Sequence, residues 1–244
     1  MLVFYIIVFS ILGSIGAVTG AALMLLFPEK MRRFIIPYLI SYATGTLLGG
    51  AFIGLIPHAL EYESSEHTMI VILSGILFFF LLEKFLLWRH CHNGECKAHS
   101  TAGPLILIGD AFHNLIDSVI ISAAFLTSIP LGLTSSVAVI AHEIPQEVGD
   151  FAILLHSGYS KRRAYSYNIL SSITTLPAAI ISYLYLDRMM GLVPYILAFS
   201  AASFIYIAIA DLIPHLQRKP TLGESLSQAI FIMLGVTTIL IMHH

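Results

Sequence analysis

Residues 105–126 read LILIGDAFHNLIDSVIISAAFL, and residues 135–156 read SSVAVIAHEIPQEVGDFAILLH. Each is apolar over the length of a membrane span. Yet the first holds Asp110, His113, Asn114 and Asp117, and the second His142, Glu143, Gln146, Glu147 and Asp150. A charged side chain at the centre of a bilayer costs about 2.5–3.5 kcal/mol even on lenient insertion scales, so such groups mark ion or proton pathways. One Asn or Ser in a span is explained by a hydrogen bond between helices. Nine polar residues on neighbouring spans, five of them carboxylates, are not.

The rest of the chain supplies the frame. It is 57% hydrophobic and only 11% charged, with a mean hydropathy of +0.88. Soluble domains carry about 25% charged residues, so the composition excludes that class. Spans of about 20 apolar residues cross a bilayer core, and the pattern predicts eight helices. They run over about 3–26, 34–60, 68–88, 104–127, 132–156, 164–186, 193–215 and 224–242. The first is apolar for about 26 residues without a basic leader and reads as a retained span. The expected fold is an all-α integral membrane protein, a single transmembrane domain over residues 1–244, with residues 89–103 as a cytoplasmic Cys/His loop.

Eleven of the twelve Lys and Arg residues fall at one end of such a bundle, all but Arg188. Basic residues stay cytoplasmic, so both termini are expected outside the cytoplasm. Short loops and the lack of a long targeting segment point to a plasma (inner) membrane. Leu55-Ile56-Pro57-His58 recurs as Leu212-Ile213-Pro214-His215. In this orientation the two copies lie at opposite faces, as in an inverted repeat of helices one to three and six to eight around helices four and five. Such 3+2+3 repeats hold a transporter's substrate near the midplane.

Asp110, Asn114 and Asp117 stand at i, i+4 and i+7, and His113 to Asp117 is a further i, i+4 pair. His142 and Gln146 are likewise four apart, as are Glu143 and Glu147, with Asp150 seven beyond Glu143. These spacings put the groups in stripes along each helix. Two facing stripes of imidazole, carboxylate and carboxamide suit a divalent transition metal such as Zn2+. Pro145 removes a backbone hydrogen bond and frees the carbonyl of Ala141. Asp110 and Asp150, one turn from the main cluster, are expected to bind metal or relay protons. His58 and His215 lie at the two mouths, with Asp211 on the exit path. His90, Cys91, His92, Cys96 and His99 form a second metal-capturing candidate. Glu83 reads as a snorkelling or Lys-paired side chain.

At these residues the chain resembles the ZIP (zinc- and iron-regulated-transporter-like) family of divalent-metal transporters. HNLID over 113–117 is similar to its HNxxD/E signature, and HEIPQEVGDFA over 142–152 to its HExPHE-x-GDFA run. The resemblance implies eight helices and a two-metal site between helices four and five. His113, Asp117, His142 and Gln146 would line the principal site. Asn114 and Glu143 would line the second, with Asp117 and Gln146 shared and Glu147 nearby. Gln146 stands where His or Glu is usual, Ser118 where Gly is usual, and Gly54 where the zinc branch often has His. Helix six lacks the Glu that some members add to the second site; Thr174 and Thr175 are poor substitutes. The implied substrate is Zn2+, with Fe2+, Mn2+ and Cd2+ as rivals. The implied surroundings are lipid, with a homodimer among the assemblies allowed and no nucleic-acid partner. Two other classes compete: a proton- or ion-conducting protein, and an intramembrane zinc protease built on a HExxH helix. The protease lacks its second His, since position 146 is Gln.

Overall fold

The computed structural model describes residues 1–90, 98–217 and 221–243, with side chains described for 1–85, 106–217 and 221–243. Among the described residues the chain forms eight long helical rods and no strand. They are α1 (Leu2–Met24), α2 (Glu29–Tyr62), α3 (Ser65–His90), α4 (Ala98–Thr127), α5 (Ile129–His156), α6 (Lys161–Leu186), α7 (Met190–Leu216) and α8 (Leu222–His243). Seven of them are long and apolar enough to cross a membrane. The exception is α5, which carries Glu143, Glu147 and Asp150.

Local chemistry sets the ends. Ser128 caps α5 by accepting from the Leu131 N–H at 3.2 Å, with Pro130 in the first turn. Gly158, at φ 88°, ends the same helix in a left-handed turn. Thr221 and Glu224 form a reciprocal capping box for α8. Two boundaries differ from the sequence expectation. The connection between α3 and α4 is shorter than 89–103, because α4 already begins at Ala98. Helix α6 is broken between Ser172 and Thr175, where the Thr174 hydroxyl donates to the Ala111 carbonyl of α4 at 3.0 Å.

Three rods contain a π-helical turn: Leu12–Gly16 in α1, Gly50–Leu55 in α2 and Ile207–Leu212 in α7. The last two directly precede the repeated Ile-Pro-His. There, His58 Nδ1 bonds the Gly54 carbonyl at 2.9 Å, and His215 Nδ1 bonds the Asp211 carbonyl at 2.7 Å.

The rods sort into two packed groups, α1/α4/α5/α6 and α2/α3/α7/α8, which meet along α2–α5, α5–α8 and α4–α7. Small residues set the closest contacts. A Cβ on Gly45 of α2 would lie 2.0 Å from the Ile232 carbonyl oxygen of α8, and one on Gly75 of α3 would lie 2.6 Å from Ala202 of α7. Backbones in lipid associate through such close approach. Gly45→Ala is expected to cost about 1–3 kcal/mol through overpacking. The check is a lowered melting temperature of the purified protein, with Gly223→Ala, which meets open space, as the unshifted comparison.

Apolar side chains also cover the outside of the bundle: Met233 is 61% and Ile241 71% exposed, as a lipid-facing surface requires. Inside, Leu47, Leu55, Phe125, Leu131, Ala138, Leu197 and Phe204 form one dry core beside the 120–139 hairpin of α4 and α5. In the connection between α2 and α3, Glu63 accepts from the Tyr195 hydroxyl of α7 and pairs with His67 at 2.9 Å. The Tyr195 bond first, then the His67 bond, holds the Glu63 carboxyl at about 2 instead of 4.5. This pinning of the connection is therefore complete above pH 4.5 and lost as pH falls towards 2.

Candidate metal centre

Helices α4 and α5 lie side by side, and their polar stripes face each other at mid-length. His113 Nε2 and His142 Nε2 approach to 3.1 Å, with ring centroids 5.3 Å apart and planes at 88°. Asp117 Oδ2 lies 3.3 Å from His142 Nε2 and 3.7 Å from His113 Nε2, and Glu143 Oε1 lies 3.3 Å from His113 Nε2. One ligand atom from each of the four falls within 4.8 Å of all the others. Four donors held about 2.0–2.2 Å from a tetrahedral Zn2+ are themselves roughly 3.3–3.6 Å apart, so the cluster needs little adjustment to close on an ion. His142 Nδ1 donates to the Ala138 carbonyl at 2.9 Å. That bond fixes the tautomer and turns the Nε2 lone pair towards the cluster.

A second group abuts the first. Asp110, Glu143 and Glu147 also bring one oxygen each within 4.8 Å of one another, so Glu143 is common to both. Asn114 Nδ2 donates to Asp110 Oδ1 at 2.8 Å, while its Oδ1 accepts from the Thr175 hydroxyl at 3.1 Å. The Ser171 hydroxyl donates to Asp110 Oδ2 at 2.5 Å. Helix α6 thus reaches this group with hydroxyls that hold Asp110 and Asn114 in place. The polar run Ser171–Thr175 was the sequence signal for it. Ser171→Ala together with Thr175→Val should weaken Zn2+ binding at the second group by ~10–100-fold, the usual cost of losing outer-shell partners. The first group should keep its affinity, which a two-site calorimetric titration would resolve.

Asp117, His142, Glu143 and Glu147 are all buried. Among the described residues, no well-formed hydrogen bond reaches any of the six carboxylate oxygens of Asp117, Glu143 and Glu147. Buried carboxylates are kept only where paired or bound to a cation. A divalent ion among these oxygens would supply such a partner.

The remaining candidates fall on either side. Gln146 is only half-buried and lines a cavity of ~540 Å3 with Asp110, His113, Asp150 and Asp211. Glu83 lines the same cavity, where its Oε2 accepts from the Tyr206 hydroxyl of α7 at 2.5 Å. Glu83, read from the sequence as snorkelling or Lys-paired, is exposed and has a Tyr partner 123 residues further along the chain. All these residues lie towards the basic end of the bundle. His215 sits at that end too, 3.8 Å from Asp211. His58 is at the opposite end. Cys91, His92 and Cys96 lie outside the described residues, and His90 and His99 are described as backbone alone.

The profile described as ZIP zinc transporter matches residues 87–243, more than half of the chain. The chain is 28% identical to the zinc transporter ZIP13 of Pongo abelii, over 95% of this chain and 77% of that protein. It is 26% identical to the human zinc transporter SLC39A7, over 96% of this chain and 70% of that protein. A zinc transporter ZIP13 homolog of Drosophila melanogaster is also 26% identical, over 96% and 88%.

Proposed function

The chain belongs to the ZIP zinc-transporter family, and from that premise we propose that it carries Zn2+ into the cytoplasm through the His113–Asp117–His142–Glu143 cluster. The observation that carries the reading is the pair of buried carboxylates, Asp117 and Glu143, gathered around two imidazoles whose Nε2 atoms converge. Zn2+ satisfies that set with its preferred N and O ligands and geometry. Fe2+, Mn2+ and Cd2+ are competitors for the same donors.

All eight rods cross the membrane in this reading, with the termini on the extracytoplasmic face. The polar side of α5 is turned inward to α4 and its apolar side packs on α1 and α2. The packing also supports inverted repeats. Exchanging α1 with α6, α2 with α7, α3 with α8 and α4 with α5 turns the α2–α8 contact into α7–α3, and α1–α5 into α6–α4. The contact residues keep register, since Gly45 and Ala202 each stand ten residues before the leucine of their Leu-Ile-Pro-His. The units that move are then α1/α4/α5/α6 against α2/α3/α7/α8, rather than the two halves of the chain. The dry core fills the extracytoplasmic half, and the acid-lined cavity lies on the cytoplasmic half. That combination describes a carrier open to the cytoplasm.

Family members are transporters rather than enzymes, and a protease would need a second imidazole where Gln146 stands. A proton channel gives the two converging imidazoles no task. Zn2+ uptake into proteoliposomes tests the proposal. Uptake that saturates and that Asp117→Ala abolishes is expected. No uptake, or uptake untouched by Asp117→Ala, would overturn it.

A further inference from the structure

A second pair of imidazoles, at the end of the bundle opposite His215, matches the central pair in ring separation and inclination. His58 stands in the last turns of α2, and His243 in the last turn of α8. Their ring centroids are 5.2 Å apart with planes at 84°, against 5.3 Å and 88° for His113 and His142. A tetrahedral ion about 2.0–2.1 Å from one nitrogen of each ring holds two imidazole centroids roughly 5–5.5 Å apart. The parallel extends to tautomers. His58 Nδ1 donates to the Gly54 carbonyl, as His142 Nδ1 donates to the Ala138 carbonyl, each four residues back. Nε2 of His58 therefore carries the lone pair that a metal needs.

The pair is held in place by its frame. Gly45 and Gly235 bring α2 and α8 into backbone contact, a Cβ on Gly235 lying 2.4 Å from the Tyr42 carbonyl oxygen. Both histidines are half-buried, so their rings are braced but reachable. Glu61 follows one turn after His58 and is exposed, adding negative charge beside the pair. Leu55, one turn before His58, belongs to the dry core that fills this half of the bundle.

We propose that His58 and His243 form a separate Zn2+ capture site at the extracytoplasmic mouth, outside the dry core. The proposal rests on the transport reading for its purpose but not for its chemistry. An ion held there waits next to a pathway that is closed on that side, and it enters when the two helix groups shift.

The test is a calorimetric Zn2+ titration of the full chain carrying Asp117→Ala and Glu143→Ala, which removes the central groups. Adding either His58→Gln or His243→Gln is expected to lower the stoichiometry by one equivalent, and adding both should lower it no further. An unchanged stoichiometry in either overturns the proposal. If the central variant does not fold, the decision passes to uptake by the otherwise unaltered chain. His243→Gln should then lower uptake several-fold at limiting Zn2+ and spare it at saturating Zn2+; equal uptake at limiting Zn2+ overturns the proposal. A parent that binds this equivalent yet transports no Zn2+ would sink the transport reading and leave the site standing.

Discussion

His142→Ala is expected to cut Zn2+ uptake into proteoliposomes by ~100-fold or more. Losing an outer-shell partner of a metal ligand already costs ~10–100-fold, and His142 is placed as a ligand itself. Its Nε2 lies 3.1 Å from the Nε2 of His113 and 3.3 Å from Asp117, with its tautomer fixed by the Ala138 carbonyl. Alanine removes that donor and leaves Asp117 facing a void in a buried setting, where water is a weaker substitute. His142→Gln separates loss of the donor from loss of bulk: it should fill the space while transport stays low. Uptake within about threefold of the parent in both variants would exclude His142 as a ligand.

Glu143→Gln should have an effect of similar size by a different route. Glu143 is the one carboxylate common to both groups of converging donors. An amide in its place keeps shape while removing the charge that the two groups share. Bound Zn2+, counted by metal analysis after equilibrium dialysis, should drop from two equivalents at the centre to one or none. Glu147→Gln, which touches the second group alone, should leave one. Retention of both ions in Glu143→Gln would mean that the groups do not depend on a shared carboxylate. Because ligands must be deprotonated to bind, Zn2+ uptake at the centre should release protons into weak buffer, and the release should shrink in Glu143→Gln.

The helix positions were legible because apolar runs of span length interrupted by Pro, Gly and charge leave little freedom in lipid. His113, Asp117 and His142 were legible too, since i, i+4 spacing alone puts them in stripes. The approach of Glu143 to His113 was not: spacing pairs Glu143 with Glu147 on its own helix, whereas its Oε1 lies 3.3 Å from His113 Nε2 on α4. Periodicity ranks residues by angle around one helix, while a site is set by where side chains from two helices end. Glu143 points between the faces, and the angle at which α4 meets α5 decides that its oxygen reaches His113. Glu83 and His243 escaped for a related reason. Their partners, Tyr206 and His58, are set by the packing of α3 on α7 and α8 on α2, which no local pattern encodes.

The π-helical turns in α2 and α7 have a consequence for the angular phase of the helices. Each turn holds one residue more than the α-helical ladder would, so everything after it is rotated by about 100° relative to an unbroken helix. In α2 the residues before Gly50 present Gly45 and Gly49 to α8. The shifted phase after Leu55 then aims His58 at the end of that same neighbour. Deleting one residue from 50–55 would leave the span nearly as long and as apolar. It would also swing Pro57 and His58 about a quarter-turn around the axis, parting the imidazole from His243 without altering a single side chain of either pair.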